Sequence, residues 1–363
     1  MMKVLVTGAN GFIGKNLCLQ LKTQGFDVLP YDLHTEQPLA DLVADCDFIM
    51  HLAGVNRPEL EEEYYTGNVA FTKKLIDTIG NRSLPLLLSS SRQAELDNPY
   101  GNSKKQAEEL VFAYGKRQQA PVYVYRLDNA FGKWCKPNYN SVIATFCHNI
   151  ASGEEIVIHD ASVERDFVYI DDIVKAFIGC INQEGSNEIL QVTPVYRKSI
   201  GEVARSILSF DNSRLTKYVP FKDAFEEKLY ATYLSYLPED QFSYPLKTNV
   251  DERGSFTEFL KTQTNGQVSV NIQHPGITKG NHWHHTKNEK FLVVSGEALI
   301  QFRKLGDTKV IEYRVSEKKL EVIDIPVGYT HNIINTGKKD LVTIMWASEV
   351  FDAEHPDTFY EEV

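Results

Sequence analysis

The stretch Lys3-Val-Leu-Val-Thr-Gly-Ala-Asn-Gly-Phe-Ile-Gly14 decides how the first half of the chain folds. A short apolar run stops at a glycine turn, and from Phe12 to Lys22 the apolar residues recur at helical spacing. The turn therefore joins a strand to a helix, the context that gives a G-x-x-G-x-x-G-like spacing its meaning. Gly8 permits the tight turn, Gly11 lets a pyrophosphate approach the backbone, and Gly14 lets the helix lie close on the strand. Thr7 ends the strand. Phe12 and Ile13 open a helix whose free N–H groups and positive dipole end favour an anion. The stretch predicts a dinucleotide site.

Downstream, Phe26–Asp32, Asp47–Leu52, Leu84–Ser90 and Pro121–Arg126 read as strands, and Tyr64–Gly80 and Ser103–Lys116 as helices. This alternation predicts parallel βαβ units. Asp32 ends the second strand, where a carboxylate accepts from a ribose 2′-OH and repels a 2′-phosphate, so it favours NADH over NADPH. A solvated turn aspartate is the alternative. Leu52, Ala53 and Gly54 follow the third strand, on the cofactor side of the sheet.

After about residue 240 the pattern changes. Runs such as Val268–Ile272, Phe291–Val294, Ala298–Phe302, Glu321–Ile325 and Leu341–Trp346 are short, β-rich and separated by glycine and proline turns. That spacing predicts an antiparallel barrel or sandwich. Leu237–Pro245, with two prolines, reads as the hinge, giving domains 1–242 and 243–363.

Composition narrows the class of protein. With 363 residues, 42% hydrophobic and 24% charged, the chain has the balance of a folded, water-soluble, two-domain protein. A net charge of −11 argues against a nucleic-acid or anionic-membrane partner. Five dispersed cysteines without a CxxC pair suit reduced thiols. Without a signal-like or membrane-length apolar run, the expected location is the cytoplasm.

Two constellations carry chemistry. Tyr100 and Lys104 stand four apart at the start of a helix, on one face, after the serine run Ser89-Ser-Ser91. A lysine cation beside a phenol favours the phenolate, and a serine hydroxyl polarises a substrate oxygen. The second constellation is Gly276-x5-His282-x-His284-x4-Glu289-x6-Gly296 followed by Pro326-x-Gly328-x2-His331-x3-Asn335. His282 and His284, two apart on a strand, point to one face. Three imidazoles and a carboxylate suit a divalent metal, zinc first, with Fe, Mn or Ni also compatible. Whether that metal is catalytic or structural stays open.

Residues 3–240 resemble the extended short-chain dehydrogenase/reductase family, which acts largely on nucleotide sugars. The resemblance rests on the glycine turn, Tyr100-x3-Lys104, His51-Leu-Ala-Gly54, Arg126-Leu-Asp-Asn-Ala-Phe-Gly132 and Arg165-Asp-Phe-Val-Tyr-Ile-Asp-Asp172. It implies that Ser91 is the catalytic serine and that Asn129 and Arg165 face the substrate, Arg165 at its diphosphate; for Arg165 a structural ion pair is the alternative. Dehydratases of that family carry Asp-Glu directly after the Ser/Thr. Here Arg92-Gln93 stands there, which argues against sugar dehydration and for ketone reduction or oxidation. The two histidine-bearing segments match the cupin motifs, and Asp251-Glu-Arg-Gly-Ser-Phe-Thr-Glu258 is similar to a stretch of the nucleotide-sugar 3,5-epimerases.

Over nearly its whole length the chain is similar to bifunctional reductase–epimerases of capsular-polysaccharide synthesis. That resemblance implies a UDP-linked 4-keto sugar as substrate, UDP-2-acetamido-2,6-dideoxy-β-L-talose as product, NADPH as reductant and a homodimer. The expected fold class is an α/β Rossmann-type doubly wound parallel sheet followed by an all-β cupin (jelly-roll) barrel. Three other readings stay open: a reductase whose barrel only clamps substrate or a partner subunit, a non-catalytic dinucleotide sensor, and an iron oxygenase fused to a reductase.

Overall fold

A computed structural model describes residues 1–185 and 188–363. It resolves into two compact units, Met1–Leu208 with Phe221–Pro238, and Ser209–Pro220 with Glu239–Val363.

The first unit is built on a six-stranded parallel sheet. Its order is Asp27–Tyr31, Lys3–Thr7, Phe48–His51, Leu86–Ser91, Val122–Leu127 and Ile189–Leu190. The order reverses beside Lys3–Thr7, so the strand ends there open a crevice of the kind in which α/β proteins bind ligands. The central strands are buried on both faces, which explains their continuous apolar runs. Val4, Val6, Leu17, Leu21, Phe48, Met50 and Phe177 fill one side of the sheet. Leu5, Ile49, Leu75, Leu86, Leu88, Val111 and Tyr114 fill the other. A smaller sheet, Asn129–Phe131 with Glu164–Tyr169 and Tyr196–Ser199, lies beside this core.

The helices differ from expectation at two places. The predicted helix 64–80 carries a π-helical stretch, Tyr65–Ala70, before continuing as Phe71–Ile79. The helix expected from Ser103 begins at Pro99, with Asn98 as N-cap accepting from Gly101 N at 2.8 Å. Proline at the first position and an Asx cap are start signals that apolar spacing alone does not register.

The second unit is a jelly-roll of two antiparallel sheets. One runs Asn249–Asp251, Gly254–Lys261, Gln267–Gln273, Leu341–Ala347, Glu289–Ser295, Val322–Ile325. The other runs Val310–Ser316, Glu297–Lys304, Tyr329–Asn335, Thr278–Trp283, Phe359–Tyr360. Phe291, Val293, Ile300, Phe302, Ile325 and Ile333 form its apolar core. One strand reverses the usual pattern. In Gln267–Gln273 the buried side is Gln267, Ser269, Asn271 and Gln273, while Val268, Val270 and Ile272 are the more exposed. The buried amides are partly satisfied across the barrel: Gln273 Nε2 donates to Ile333 O at 3.1 Å, and Lys279 Nζ to Asn271 Oδ1 at 2.8 Å.

Candidate functional site

In the first unit, the glycine turn is shaped by contacts that allow no side chain. Gly8 has φ +70°, and a Cβ there would lie 2.7 Å from Ala53 N. At Gly14 a Cβ would come within 2.1 Å of Gly8 O. Gly11 caps the helix Phe12–Thr23, with Phe12 and Ile13 packed against the core behind it. Thr7 is fully buried; its hydroxyl meets His51 Nδ1 at 2.7 Å and accepts from Ala53 N at 3.2 Å. The other ring nitrogen of His51 meets Thr72 Oγ1 at 2.9 Å, and burial, with the Lys104 charge nearby, lowers its pKa to about 3. His51 is thus a neutral strut that ties the glycine turn to the Leu52-Ala53-Gly54 turn. The carboxylate of Asp32 accepts from Asn10 N and Leu33 N, both at 2.8 Å, so it is fixed at the edge of the glycine turn.

Ser91, Tyr100 and Lys104 converge at the end of Leu86–Ser91. The Ser91 hydroxyl accepts from Gln93 N at 3.2 Å and lies near enough to the Tyr100 phenol to influence its ionisation. Burial raises the Tyr100 pKa; the Ser91 contact opposes this and Tyr64 adds to it. The lowering expected from Lys104 is not seen, since the lysine is not among the groups that shift the phenol. Lys104 is buried and donates instead to Ser89 O at 2.8 Å, and burial brings its pKa down to about 8 against the opposing pull of Glu108. A Cβ on Gly54 would lie 3.6 Å from Lys104 Nζ and 2.7 Å from Asn68 Oδ1. The third-strand turn and the Tyr–Lys helix therefore border one space.

Several supporting residues carry no sequence signal of their own. Asn68, from the π-helical stretch, accepts from Val55 N at 2.8 Å and donates to Val55 O and Ser103 Oγ at 2.9 Å each. Glu108, one turn beyond Lys104, is buried; Arg126 grips it through Nη2 at 2.6 Å and Nε at 3.0 Å, and Ser90 donates to it. Asn129 and Arg165 lie on the smaller sheet, Asn129 Nδ2 donating to Asp166 O at 2.9 Å. Arg165 is exposed and forms no ion pair among the described residues; its guanidinium donates to Glu164 O at 2.9 Å.

In the second unit the four expected ligands come together. One donor atom each from His282, His284, Glu289 and His331 lie within 4.8 Å of one another. Cross-strand pairing of His282 with His331 places two of them, and a bulge between Gly280 and His282 turns the strand so that His282 faces inward. Glu289 Oε2 lies 3.3 Å from both His284 Nε2 and His331 Nε2. Ligands about 2.0–2.1 Å from a tetrahedral ion are roughly 3.3–3.4 Å apart, so the spacing fits. Both ring nitrogens of the buried His331 lack a hydrogen bond; the Glu289 oxygen is near Nε2 but off its bonding direction. Orphaned buried imidazole nitrogens beside a carboxylate are the chemistry of a metal centre. Burial lowers the His282 pKa to about 4, helped by the neighbouring His331, which keeps its ring in the neutral, ligating form. Trp283 and His285 pack against Phe359 on the other side of the strand.

Fold and site together define a Rossmann-type oxidoreductase unit joined to a jelly-roll with a metal-ligand cluster. Residues 4–193 match the NAD dependent epimerase/dehydratase family and residues 249–359 the polysaccharide biosynthesis C-terminal domain. The chain belongs to the NAD dependent epimerase/dehydratase family. It is 46% identical over 364 residues to a UDP-2-acetamido-2,6-beta-L-arabino-hexul-4-ose reductase of Pseudomonas aeruginosa, covering 99% of this chain and 98% of that one. The crystal structure of the capsular polysaccharide assembling protein CapF from Staphylococcus aureus superposes with a TM-score of 0.93 at 51% identity, over 100% of both chains. A UDP-glucuronic acid 4-epimerase from Bacillus cereus, solved with UDP-glucuronic acid and NAD, shares the fold of the first unit at 19% identity. Its TM-score is 0.56, over 65% of this chain and 99% of that one.

Proposed function

We propose that the chain acts twice on one nucleotide sugar. The jelly-roll inverts C3 of a UDP-linked 2-acetamido-2,6-dideoxy-4-hexulose, and the Rossmann-type unit then reduces C4 with NADPH or NADH. The product would be UDP-2-acetamido-2,6-dideoxy-β-L-talose, a precursor of UDP-N-acetyl-L-fucosamine for a capsular or surface polysaccharide. The observation that carries this reading is the full-length 46% identity to a hexul-4-ose reductase in a chain where both constellations close into compact sites.

The chemistry fixes the order. A C4 carbonyl acidifies the C3 hydrogen, and reduction destroys that carbonyl, so inversion comes first. In the Rossmann-type unit the glycine turn at Thr7, Gly8, Gly11, Phe12, Ile13 and Gly14, with Asp32 and Leu52-Ala53-Gly54, would hold the dinucleotide, whose nicotinamide supplies hydride. Tyr100, kept protonated by its raised pKa, gives the C4 oxygen its proton while Ser91 orients that oxygen and Lys104 supplies positive charge. Asn129 and the unpaired guanidinium of Arg165 would meet the sugar diphosphate. Arg92-Gln93, in place of an acid–base pair, keeps the site from eliminating water.

In the jelly-roll, His282, His284, Glu289 and His331 would hold a divalent ion, zinc by donor set. Such an ion would supply Lewis acidity toward the ketone. Of the two histidines that are candidates to serve the C3 proton, His331 keeps Nδ1 without a partner, whereas His284 donates Nδ1 to Asp357 O and turns Nε2 toward the ligand cluster.

The test is incubation with the UDP-linked 4-keto sugar in D2O without nicotinamide, following C3 by NMR. Exchange with inversion is expected. Exchange that persists with all four ligands replaced by alanine would remove the base from this pocket. No exchange, with clean reduction on adding NADPH or NADH, would favour a single-step 4-ketoreductase with a structural barrel, the reading that the relative's designation as a reductase favours.

A further inference from the structure

The loop 284–288 connects the two strands that bear His282 and Glu289, and the last residues of the chain hold it from outside. The carboxylate of Asp357 accepts four hydrogen bonds from that loop. Oδ1 takes His285 N at 2.9 Å, and Oδ2 takes Thr286 N at 2.8 Å, Lys287 N at 2.9 Å and Thr286 Oγ1 at 3.0 Å. The backbone carbonyl of the same residue accepts from His284 Nδ1. Lys287 Nζ reaches Thr358 Oγ1 at 3.0 Å.

The attachment continues along the tail. Phe359–Tyr360 pairs antiparallel with Trp283 and His282, and the Phe359 ring stacks on Trp283 with centroids 4.9 Å apart. Glu361 N donates to Asn281 O at 3.0 Å, and Arg303 ties down Glu361 Oε1 at 2.8 Å and Glu362 O at 2.6 Å.

We propose that Asp357 is the positioning residue of the candidate metal centre and that the tail from Asp357 to Tyr360 forms its outer frame. The inference rests on the reading of His282, His284, Glu289 and His331 as ligands. A ring whose Nδ1–H is donated to a carbonyl must present its Nε2 lone pair, here toward Glu289, so the Asp357 carbonyl selects the ligating tautomer of His284. The carboxylate gathers three consecutive N–H groups and thereby fixes the loop's path between His284 and Glu289. Two of the four ligands take their orientation from one residue about seventy positions downstream that touches no metal itself.

The experiment compares wild type, Asp357→Ala, Asp357→Asn and the control Asp352→Ala, whose carboxylate bonds only Glu354 N and His355 within the tail. Full-length apoprotein is titrated with Zn2+ against a chromophoric chelator, and hydrogen exchange is followed on the segment 284–289 before metal is added. Asp357→Ala should bind Zn2+ about 10–100-fold more weakly and exchange the His285, Thr286 and Lys287 amides faster. Asp357→Asn, which keeps a neutral acceptor, should fall between, and Asp352→Ala should match wild type. If Asp357→Ala proves unfolded by far-UV circular dichroism, the Asn variant carries the comparison. Wild-type affinity in the folded Ala or Asn variant overturns the proposal even if the loop exchanges faster. Failure of wild type itself to bind Zn2+, Co2+ or Mn2+ stoichiometrically overturns the metal reading and this inference together, and it is seen without any variant.

Discussion

Lys104 shows how one buried charge links stability to chemistry. Its pKa, brought down to about 8 by burial, means that it loses its proton as pH rises through that value in the folded state, well before an exposed lysine would. Reduction that needs the cation should therefore decline above about pH 8 in the kcat/KM profile of the free enzyme. Lys104→Met should lack that limb and be slower by about 100-fold or more. Tyr100 behaves in the opposite sense, since its raised pKa keeps the donor protonated across the same range. Tyr100→Phe should lower kcat by roughly 10²–10⁴ while leaving cofactor affinity, read by fluorescence titration, near wild type. At Asp32 the carboxylate accepts from Asn10 N and Leu33 N, which holds it at the edge of the proposed dinucleotide site. Asp32→Ala should raise the ratio of kcat/KM with NADPH to that with NADH by about tenfold or more, on the ~1.4 kcal/mol that separates a tolerated from a repelled phosphate.

Among elements, those whose pattern is self-contained were legible in the sequence. Lys3–Thr7 is a strand with the predicted limits, and the glycine turn, the Ser–Tyr–Lys order and the cupin-like histidine spacing each belong to short contiguous segments. What escaped notice depends on partners remote in sequence. The strand Phe359–Tyr360 exists because Trp283 and His282 offer it an edge, and no periodicity announces two residues. The π-helical turn Tyr65–Ala70 lies within an ordinary amphipathic pattern; its widening turns Asn68 onto Val55 and Ser103. Helix packing gives a sharp prediction. A methyl group at Gly14 would meet Gly8 O, so Gly14→Ala must push the helix Phe12–Thr23 off the sheet. We expect about 1–3 kcal/mol of destabilisation by urea unfolding together with loss of dinucleotide binding.

At the scale of the molecule, the two units carry separate cores and separate sites, so their responses should separate. Structural metals bind the folded state and stabilise it by mass action. Chelation of the proposed ion should lower the calorimetric transition of the jelly-roll unit and leave that of the Rossmann-type unit in place. It should also abolish C3 exchange while sparing NAD(P)H-dependent reduction of a pre-inverted ketone. Joint loss of both activities on chelation would contradict this separation.

The strand Gln267–Gln273 has its hydrophobic pattern facing the wrong way, and that has a consequence for how the barrel finds its native pairing. A slip of one residue would turn Val268, Val270 and Ile272 inward and release four polar side chains to water, an exchange that burial alone would reward. The native alignment must therefore be enforced from the ends. Gly254, where a Cβ would lie 2.1 Å from Ile272 O, and Gly266, where it would lie 1.7 Å from Ala347 O, seat the strand against both neighbours in one position only. Those two glycines act as stops that keep a polar row inside the barrel, and losing either would favour the slipped alignment with Val268, Val270 and Ile272 turned inward.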